Sequence, residues 1–447
     1  MEKILLVDFG ASRIKAAVWS FAQHTVIETL ECEAPVPKIG FGGEIEIEPE
    51  QYWSSLVNTA GILLDRHPNI ERIWICAEMH GVLLLDASTY KPLTSYISWR
   101  DERASKAVGG QPATFSQFDD KNFQDSFLGE TGLKLRVGLP FVTLTHLHDM
   151  INRLQDFKVC TLVDWILYRG GEKSPKVHPS LAAGMGFYSL SDCAWSDGLI
   201  QKSSSGLHAS QFSEPSKLSE KIGQISIGKH SLAVYGGLGD MQAAIFGAGF
   251  PKKGSLLVNL GTGSQVVGDS FQEGDGVERR LGTNGEVFAA LTHIPSGRGL
   301  NVFAKFIDGI SLLGGGEAVF WKIFSSLNPD EILGSSIEVD LNVFEASWRY
   351  EAGGVISRIN ENAFDLRSFI SGLVKSWLSQ YKVAMDLIDP RREVDKFLVS
   401  GGLSRRGPFV VPVLEKLSGR FGYLTETITG EETLDGLLAL ALENNEA

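Results

Sequence analysis

Cysteine is scarce in this chain: four in 447 residues, at Cys32, Cys76, Cys160 and Cys193, with no CxxC and no Cys/His cluster. That scatter excludes a disulfide framework and a zinc site, and it fits reduced thiols in a cytoplasm. Long apolar runs are also missing. No stretch reaches the roughly 18 residues that suggest a membrane span, and Ile4 to Val7 is too short for a signal-peptide core. The expected location is therefore cytoplasmic, with no membrane partner. Positive charge is in deficit, with 41 Lys and Arg against 54 Asp and Glu, a formal charge of −13, and no basic block. This excludes nucleic acid or an anionic membrane as the main partner. Any phosphate site must be local, built from backbone N–H groups and a few cations.

Apolar residues make up 43% of the chain and aromatics 10%, with 49 glycines. Such a composition supports packed cores, and the length favours two domains. Two stretches repeat each other. Leu5-Leu6-Val7-Asp8-Phe9-Gly10-Ala11-Ser12 is echoed by Leu256-Leu257-Val258-Asn259-Leu260-Gly261-Thr262-Gly263. Each is an apolar run, then Asp or Asn, then Gly and small residues, then a second apolar run. The pattern predicts two β-hairpins whose tight turns leave N–H groups free to face an anion. Ordinary structural hairpins with Asx turns are the alternative.

Elsewhere, helical spacing predicts helices over 49–67, 366–388, 408–417 and from 431 onward. Strands are expected at 73–77, 82–86, 232–235 and 396–399, and 109–125 reads as a loop or insertion. Strands and helices alternate in both halves, an α/β architecture. Gly247 to Gly254 is the expected join, giving domains 1–249 and 250–447.

Asp8-Phe9-Gly10 with Ser12 and Lys15, then Met79-His80-Gly81, then Trp99-Arg100-Asp101-Glu102-Arg103 resemble the sugar-binding half of the FGGY carbohydrate kinases. Gly239-Asp240, Gly261-Thr262-Gly263-Ser264 and Ser400-Gly401-Gly402 continue the resemblance in order, and Glu432 to Ala441 resembles the family's closing helix. The resemblance implies two ribonuclease-H-like domains of the actin/hexokinase type flanking a central cleft, the first binding sugar and the second nucleotide. It implies ATP and Mg²⁺, a small-molecule sugar, and a monomer or homodimer.

Residue by residue, it assigns Asp240 as the general base that accepts the proton of the attacking hydroxyl. The bare sequence reads the same Asp as a helix N-cap. Asp8 is assigned to Mg²⁺ through water, since this ion takes one or two carboxylates plus waters and phosphate oxygens; an Asx turn is the alternative. Met79, His80, Asp101, Arg103 and Asp240 form the expected sugar site, although Arg103 could instead pair with Asp101. Gly10, Ser12, Arg13, Lys15, Gly261, Thr262, Gly263, Ser264, Gly401, Gly402 and Ser404 are the expected ATP contacts, with a solvated Arg13 as the plainer reading.

Three departures stand out. Glu78 occupies a place where related ketose kinases carry Gln, Ser400 replaces a glycine, and 139–150 lacks the usual Lys and Trp. Met-His-Gly and Trp-Arg-Asp-Glu-Arg resemble the xylulose branch, so the expected substrate is a ketose of sedoheptulose, xylulose or ribulose type, phosphorylated at a terminal hydroxyl. A catalytically weak regulator that binds sugar and nucleotide is the second reading.

Overall fold

The computed structural model describes all residues except 1–2, 108–111, 205, 218–219, 251–253, 262–263, 270–275, 345–346, 352, 362–363, 421–423, 428–431 and 447. Two compact units emerge: Met1–Gly249 with Arg280–Val287 and Glu431–Ala447, and Phe250–Arg279 with Phe288–Gly430. The chain divides at Gly249/Phe250. Because 280–287 and 431–447 cluster with the first unit, the second is discontinuous where a single cut at 250 would make it continuous.

The first unit is built on a six-stranded sheet. Its strands are β1 (Lys3–Phe9), β2 (Arg13–Ser20), β3 (Thr25–Glu33), β4 (Arg72–Ala77), β5 (Gly223–Ile227) and β6 (His230–Gly239), in the order β5-β6-β4-β1-β2-β3. β1, β2 and β3 form an antiparallel meander, while β4 and β6 run parallel to β1. The apolar run of β1 is buried on both faces because its side chains alternate with period two. Leu5, Val7 and Phe9 join the core that includes Tyr52 and Leu56 of helix α1 (Pro49–Leu56). Ile4 and Leu6 join Trp74, Cys76 and Leu238 in the core on the other face.

The segment expected as a loop at 109–125 runs, from residue 121, into helix α2 (Lys121–Thr131), capped by the Asp120 side chain on the Asn122 N–H. Phe123 and Phe127, four residues apart, lie on one helix face and meet Phe141, with ring centroids 6.1 and 5.1 Å away. The apolar spacing that marks this face continues to Phe127, beyond 109–125, so that polar stretch by itself shows no helical period.

After β6 comes helix α3 (Asp240–Gly247). A second six-stranded sheet repeats the topology with β7 (Ser255–Asn259), β8 (Ser264–Gly268), β9 (Glu278–Leu281), β10 (Val287–Ile294), β11 (Lys396–Ser400) and β12 (Leu424–Thr427), in the order β9-β10-β8-β7-β11-β12. Here too the opening hairpin is antiparallel and the two later strands are parallel to its first strand. The duplicated hairpin in the sequence is thus a duplicated sheet, and the chain is α/β with two ribonuclease-H-like domains.

Helix α4 (Gly297–Leu313) and helix α5 (Leu366–Ile388) follow β10. Ile370, Leu373, Trp377, Tyr381 and Met385 give α5 its buried stripe. The closing helix α6 (Glu432–Glu446) belongs to the first unit, where Leu434 and Leu437 share a core with Leu238 and Ala243. Among the described residues, no helix is long and apolar enough to cross a membrane.

Candidate active site

Three acidic residues sit at the C-terminal ends of three adjacent parallel strands. Register pairs Asp8 of β1 with Cys76 of β4, and Cys76 with Leu238 of β6. Glu78 follows β4 directly, its N–H donating to the Phe9 carbonyl at 3.1 Å, and Asp240 follows β6. Strand ends of this kind, where chains leave a parallel sheet, are where α/β folds hold ligands.

Asp240 opens α3, and its Oδ1 accepts the Met241 N–H at 2.8 Å. Its carboxyl pKa is pushed up to about 7, first by burial and then by repulsion from Asp8 and Glu78. Asp8 shares a parity with Ile4 and Leu6, so its carboxylate lies on the face that packs against α6. There Oδ2 accepts the Thr433 hydroxyl at 2.7 Å, and Oδ1 accepts the Cys76 thiol at 3.4 Å. Thr433, in the first turn of α6, was missed by the sequence reading. Its only signal there was membership of a recognisable closing helix.

Glu78 is buried. The Tyr52 hydroxyl donates to Oε1 at 3.0 Å and the Trp99 indole to Oε2 at 3.2 Å. Burial pushes its pKa up. Two donors converge on this side chain, and each of its carboxylate oxygens accepts from one of them.

Met79 is buried in the main core. His80 adopts φ 63°, unusual for a residue with a Cβ. That turn brings Nδ1 to the Gly184 carbonyl at 2.5 Å, so Nδ1 carries the proton and Nε2 accepts from the Arg136 guanidinium at 3.1 Å. Arg136 is a second residue that sequence reasoning did not find. Gly81 has no alternative, because a Cβ there would lie 1.8 Å from the buried Tyr96 hydroxyl.

Asp101 and Arg103 do pair. Asp101 Oδ1 accepts from the Arg103 N–H and Nε at 3.1 and 2.8 Å, while Oδ2 accepts from an Arg103 terminal nitrogen at 2.8 Å and the Ile45 N–H at 2.7 Å. Each carboxylate oxygen thus has two donors, and Arg103 reaches on to Glu46 at 2.7 Å. In this structure the pair organises the loop.

At the first hairpin turn, Ser12 and Arg13 are exposed, Arg13 forms an ion pair with Glu31, and Lys15 is half-buried. In the second unit, Asn259 takes the place of Asp8. It donates to the buried Ser400 hydroxyl at 2.8 Å, the two residues being register partners on β7 and β11. Ser400 is thus occupied within the sheet. Gly401, at φ 93°, lies so close to β7 that a Cβ would meet the Leu260 carbonyl carbon at 2.5 Å. Ser404 donates to the Gly401 carbonyl at 2.7 Å, and nothing stands over Gly402 within 4 Å of a Cβ. Ser264 accepts the Gly261 N–H at 3.1 Å and ties its turn. Thr262 and Gly263 lie outside the described residues.

Among the described residues, no three His, Cys, Asp or Glu side chains form a metal cage. Asp8 and Asp240 are hard oxygen donors of the number that Mg²⁺ takes from protein when waters and phosphate oxygens complete its shell, so the residues present fit this ion.

Residues 3–247 match the N-terminal domain of the FGGY family of carbohydrate kinases, and the chain belongs to this family. It is 25% identical over 273 residues to a glycerol kinase of Nostoc sp., a match taking in 59% of this chain and 52% of that kinase. The chain thus spans about half the length of the curated relatives it matches. Its fold is similar to that of a ligand-bound xylulose kinase from Lactobacillus acidophilus, with a TM-score of 0.83 and 15% identity over 100% of this chain and 90% of the other. It is also similar to a gluconate kinase from the same organism, with a TM-score of 0.82 and 14% identity over 99% and 90%.

Proposed function

We propose that the chain transfers the γ-phosphoryl group of ATP to a terminal hydroxyl of a ketose of xylulose, ribulose or sedoheptulose type. The observation that carries this reading is the convergence of Asp8, Glu78 and Asp240 at the ends of three adjacent parallel strands. In it, Asp240 accepts the proton of the attacking hydroxyl. A carboxylate with a pKa near 7 combines a populated basic form at neutral pH with a real drive to take a proton, and ordinary carboxylates are weaker bases. Asp8, held in orientation by Thr433, would carry Mg²⁺ through water, and the ion when bound neutralises charge on the phosphates. His80, with its tautomer fixed by Gly184 and Arg136, orients the sugar. Met79 packs beneath that loop, and the Asp101–Arg103 pair holds the neighbouring one. The turns at Gly10 to Lys15, at Gly261 to Ser264 and at Gly401 to Ser404 are proposed to face the nucleotide.

The Met-His-Gly and Trp-Arg-Asp-Glu-Arg loops support this substrate class, and the names of the relatives add xylulose within it and glycerol and gluconate as rivals. A coupled assay of ADP release with Mg²⁺ and ATP, run over ketoses, polyols, glycerol and aldonates, tests the proposal. Release stimulated most by a five- to seven-carbon ketose is the expected result. Stimulation by glycerol or gluconate alone would overturn the ketose assignment, and binding of sugar and ATP without turnover would make the chain a regulator.

A further inference from the structure

Ser98 to Asp101 form a tight turn, closed by the Asp101 N–H donating to the Ser98 carbonyl at 3.0 Å. Both ends are fixed. The Ser98 N–H donates to the Ile45 carbonyl at 3.0 Å, and the Asp101 carboxylate is held by Arg103 and the Ile45 N–H. Gly138 backs the turn so closely that a Cβ there would lie 2.0 Å from the Trp99 carbonyl oxygen. A turn tied in this way has little freedom, so its two corner side chains, Trp99 and Arg100, are held in set directions. Trp99 sends its indole to Glu78. Arg100 is close enough to Glu78 and Tyr52 for its charge to favour the ionised form of each, against the burial that pushes both pKa values up.

The protein leaves the Arg100 guanidinium incomplete. Its Nε is buried and, among the described residues, has no hydrogen-bond partner. The carboxylate acceptors of this turn and of Glu78 are taken. Glu78 accepts from Tyr52 and Trp99, one donor to each oxygen, and both oxygens of Asp101 have two donors. Arg103, three residues on, shows the contrast, since its Nε and a terminal nitrogen both reach carboxylates. A buried N–H without an acceptor costs free energy, and native proteins rarely leave one. A guanidinium donates at five positions and accepts at none, so Nε calls for an oxygen from outside the chain.

We propose that Arg100 is a substrate-binding residue whose guanidinium donates to the carbonyl oxygen of the ketose. This rests on the reading of the chain as a ketose kinase, and it names the group by which a ketose is told from other sugars. Two features select a carbonyl. A hydroxyl oxygen brings a proton that needs an acceptor of its own, and the carboxylate oxygens of Glu78 and Asp101 already hold donors; a carbonyl oxygen needs donors alone. A carboxylate, as in an aldonate, would add negative charge next to Glu78, in a site where Asp8 and Glu78 already repel Asp240. The guanidinium charge is set against Glu78, so a neutral acceptor suits the place. A site that hydrogen-bonds one group of its substrate strongly rejects the analogue that lacks it.

Wild type, Arg100→Met and Arg100→Lys, each as the full chain, are compared on D-xylulose and D-ribulose and on xylitol and ribitol. The measurements are ADP release and calorimetric binding of sugar without ATP. Wild type should prefer the ketoses. Arg100→Met should raise KM and the dissociation constant for the ketoses about 10–100-fold, the range for a hydrogen bond to a charged group, with a much smaller change in kcat. The same substitution should cost the alditols little, so the preference collapses. Arg100→Lys, which keeps the charge and a donor, should recover part of the affinity. Because Nε has no partner among the described residues, Arg100→Met should melt no lower than wild type. An unchanged ketose KM in Arg100→Met overturns the assignment and leaves the ketose kinase reading in place. So does an equal loss for ketose and alditol, or a variant that melts well below wild type, which would give the guanidinium a structural role instead. A wild type that binds and turns over no ketose overturns the assignment together with the reading it rests on.

Discussion

The hydroxyl of Thr433 donates to Oδ2 of Asp8 at 2.7 Å across 425 residues of sequence. The last helix of the chain thus orients the carboxylate that ends its first strand. A carboxylate assigned to an ion through water needs a fixed direction, and this hydrogen bond supplies it.

Replacing Thr433 with Val should therefore lower turnover at limiting Mg²⁺ by about tenfold, the lower end expected for a hydrogen bond to a charged group. Thr433→Ser should restore it. Initial rates over a Mg²⁺ titration are the measurement. Equal rates for wild type and Thr433→Val would reduce the contact to a tie between strand and helix.

Asp240→Asn should lower kcat by about 10²–10⁴-fold with sugar affinity nearly unchanged, the range for losing a general base. Near wild-type turnover would leave Asp240 only its place at the start of α3. Calorimetric binding of the sugar beside a turnover assay separates the two effects.

The same substitution should stabilise the fold. The Asp240 carboxyl titrates near 3.8 when unfolded and near 7 when folded, so between these values the folded chain binds more protons. Its burial penalty is absent below about pH 4, grows as pH rises, and is complete above about 7. Asp240→Asn should thus be more stable than wild type at pH 8, by an amount on the order of a few kcal/mol, and the difference should vanish near pH 4. Denaturant melts at both pH values check this; an advantage present only at acid pH would contradict the sign.

As a base, Asp240 works deprotonated, so kcat/KM should rise with pH through an inflection near 7. Glu78 is one of the groups that raise that inflection. Glu78→Gln removes its charge and should move the inflection to lower pH, although the amide meets the Tyr52 and Trp99 donors less well. A profile that shifts to higher pH, or none at all, would show that Asp240 does not control the rate.

Gly401→Ala should destabilise the protein by ~1–3 kcal/mol. Its φ of 93° disfavours any Cβ, and the Leu260 backbone blocks the space. Thermal unfolding measures it; an unchanged melting temperature would mean the β11 turn relaxes freely.

Local pattern alone determined a good deal here. The repeated apolar-Asx-Gly hairpins announced two similar sheets, because a strand buried on both faces must be apolar throughout and its tight turn must be small. Asp8, Glu78, His80 and Asp240 were legible as strand-end residues for the same reason. The placing of Asp101 beside Arg103 was legible too, since two residues in one short loop have few partners to choose from. The tertiary structure decided the long-range pairings: Thr433 with Asp8, Arg136 with His80, Tyr52 and Trp99 with Glu78, and Asn259 with Ser400. No spacing rule encodes these contacts, because they join elements brought together by sheet order and core packing. The same packing decides which face of α4 is buried, and periodicity could not have chosen it, because the helix carries apolar residues on both sides.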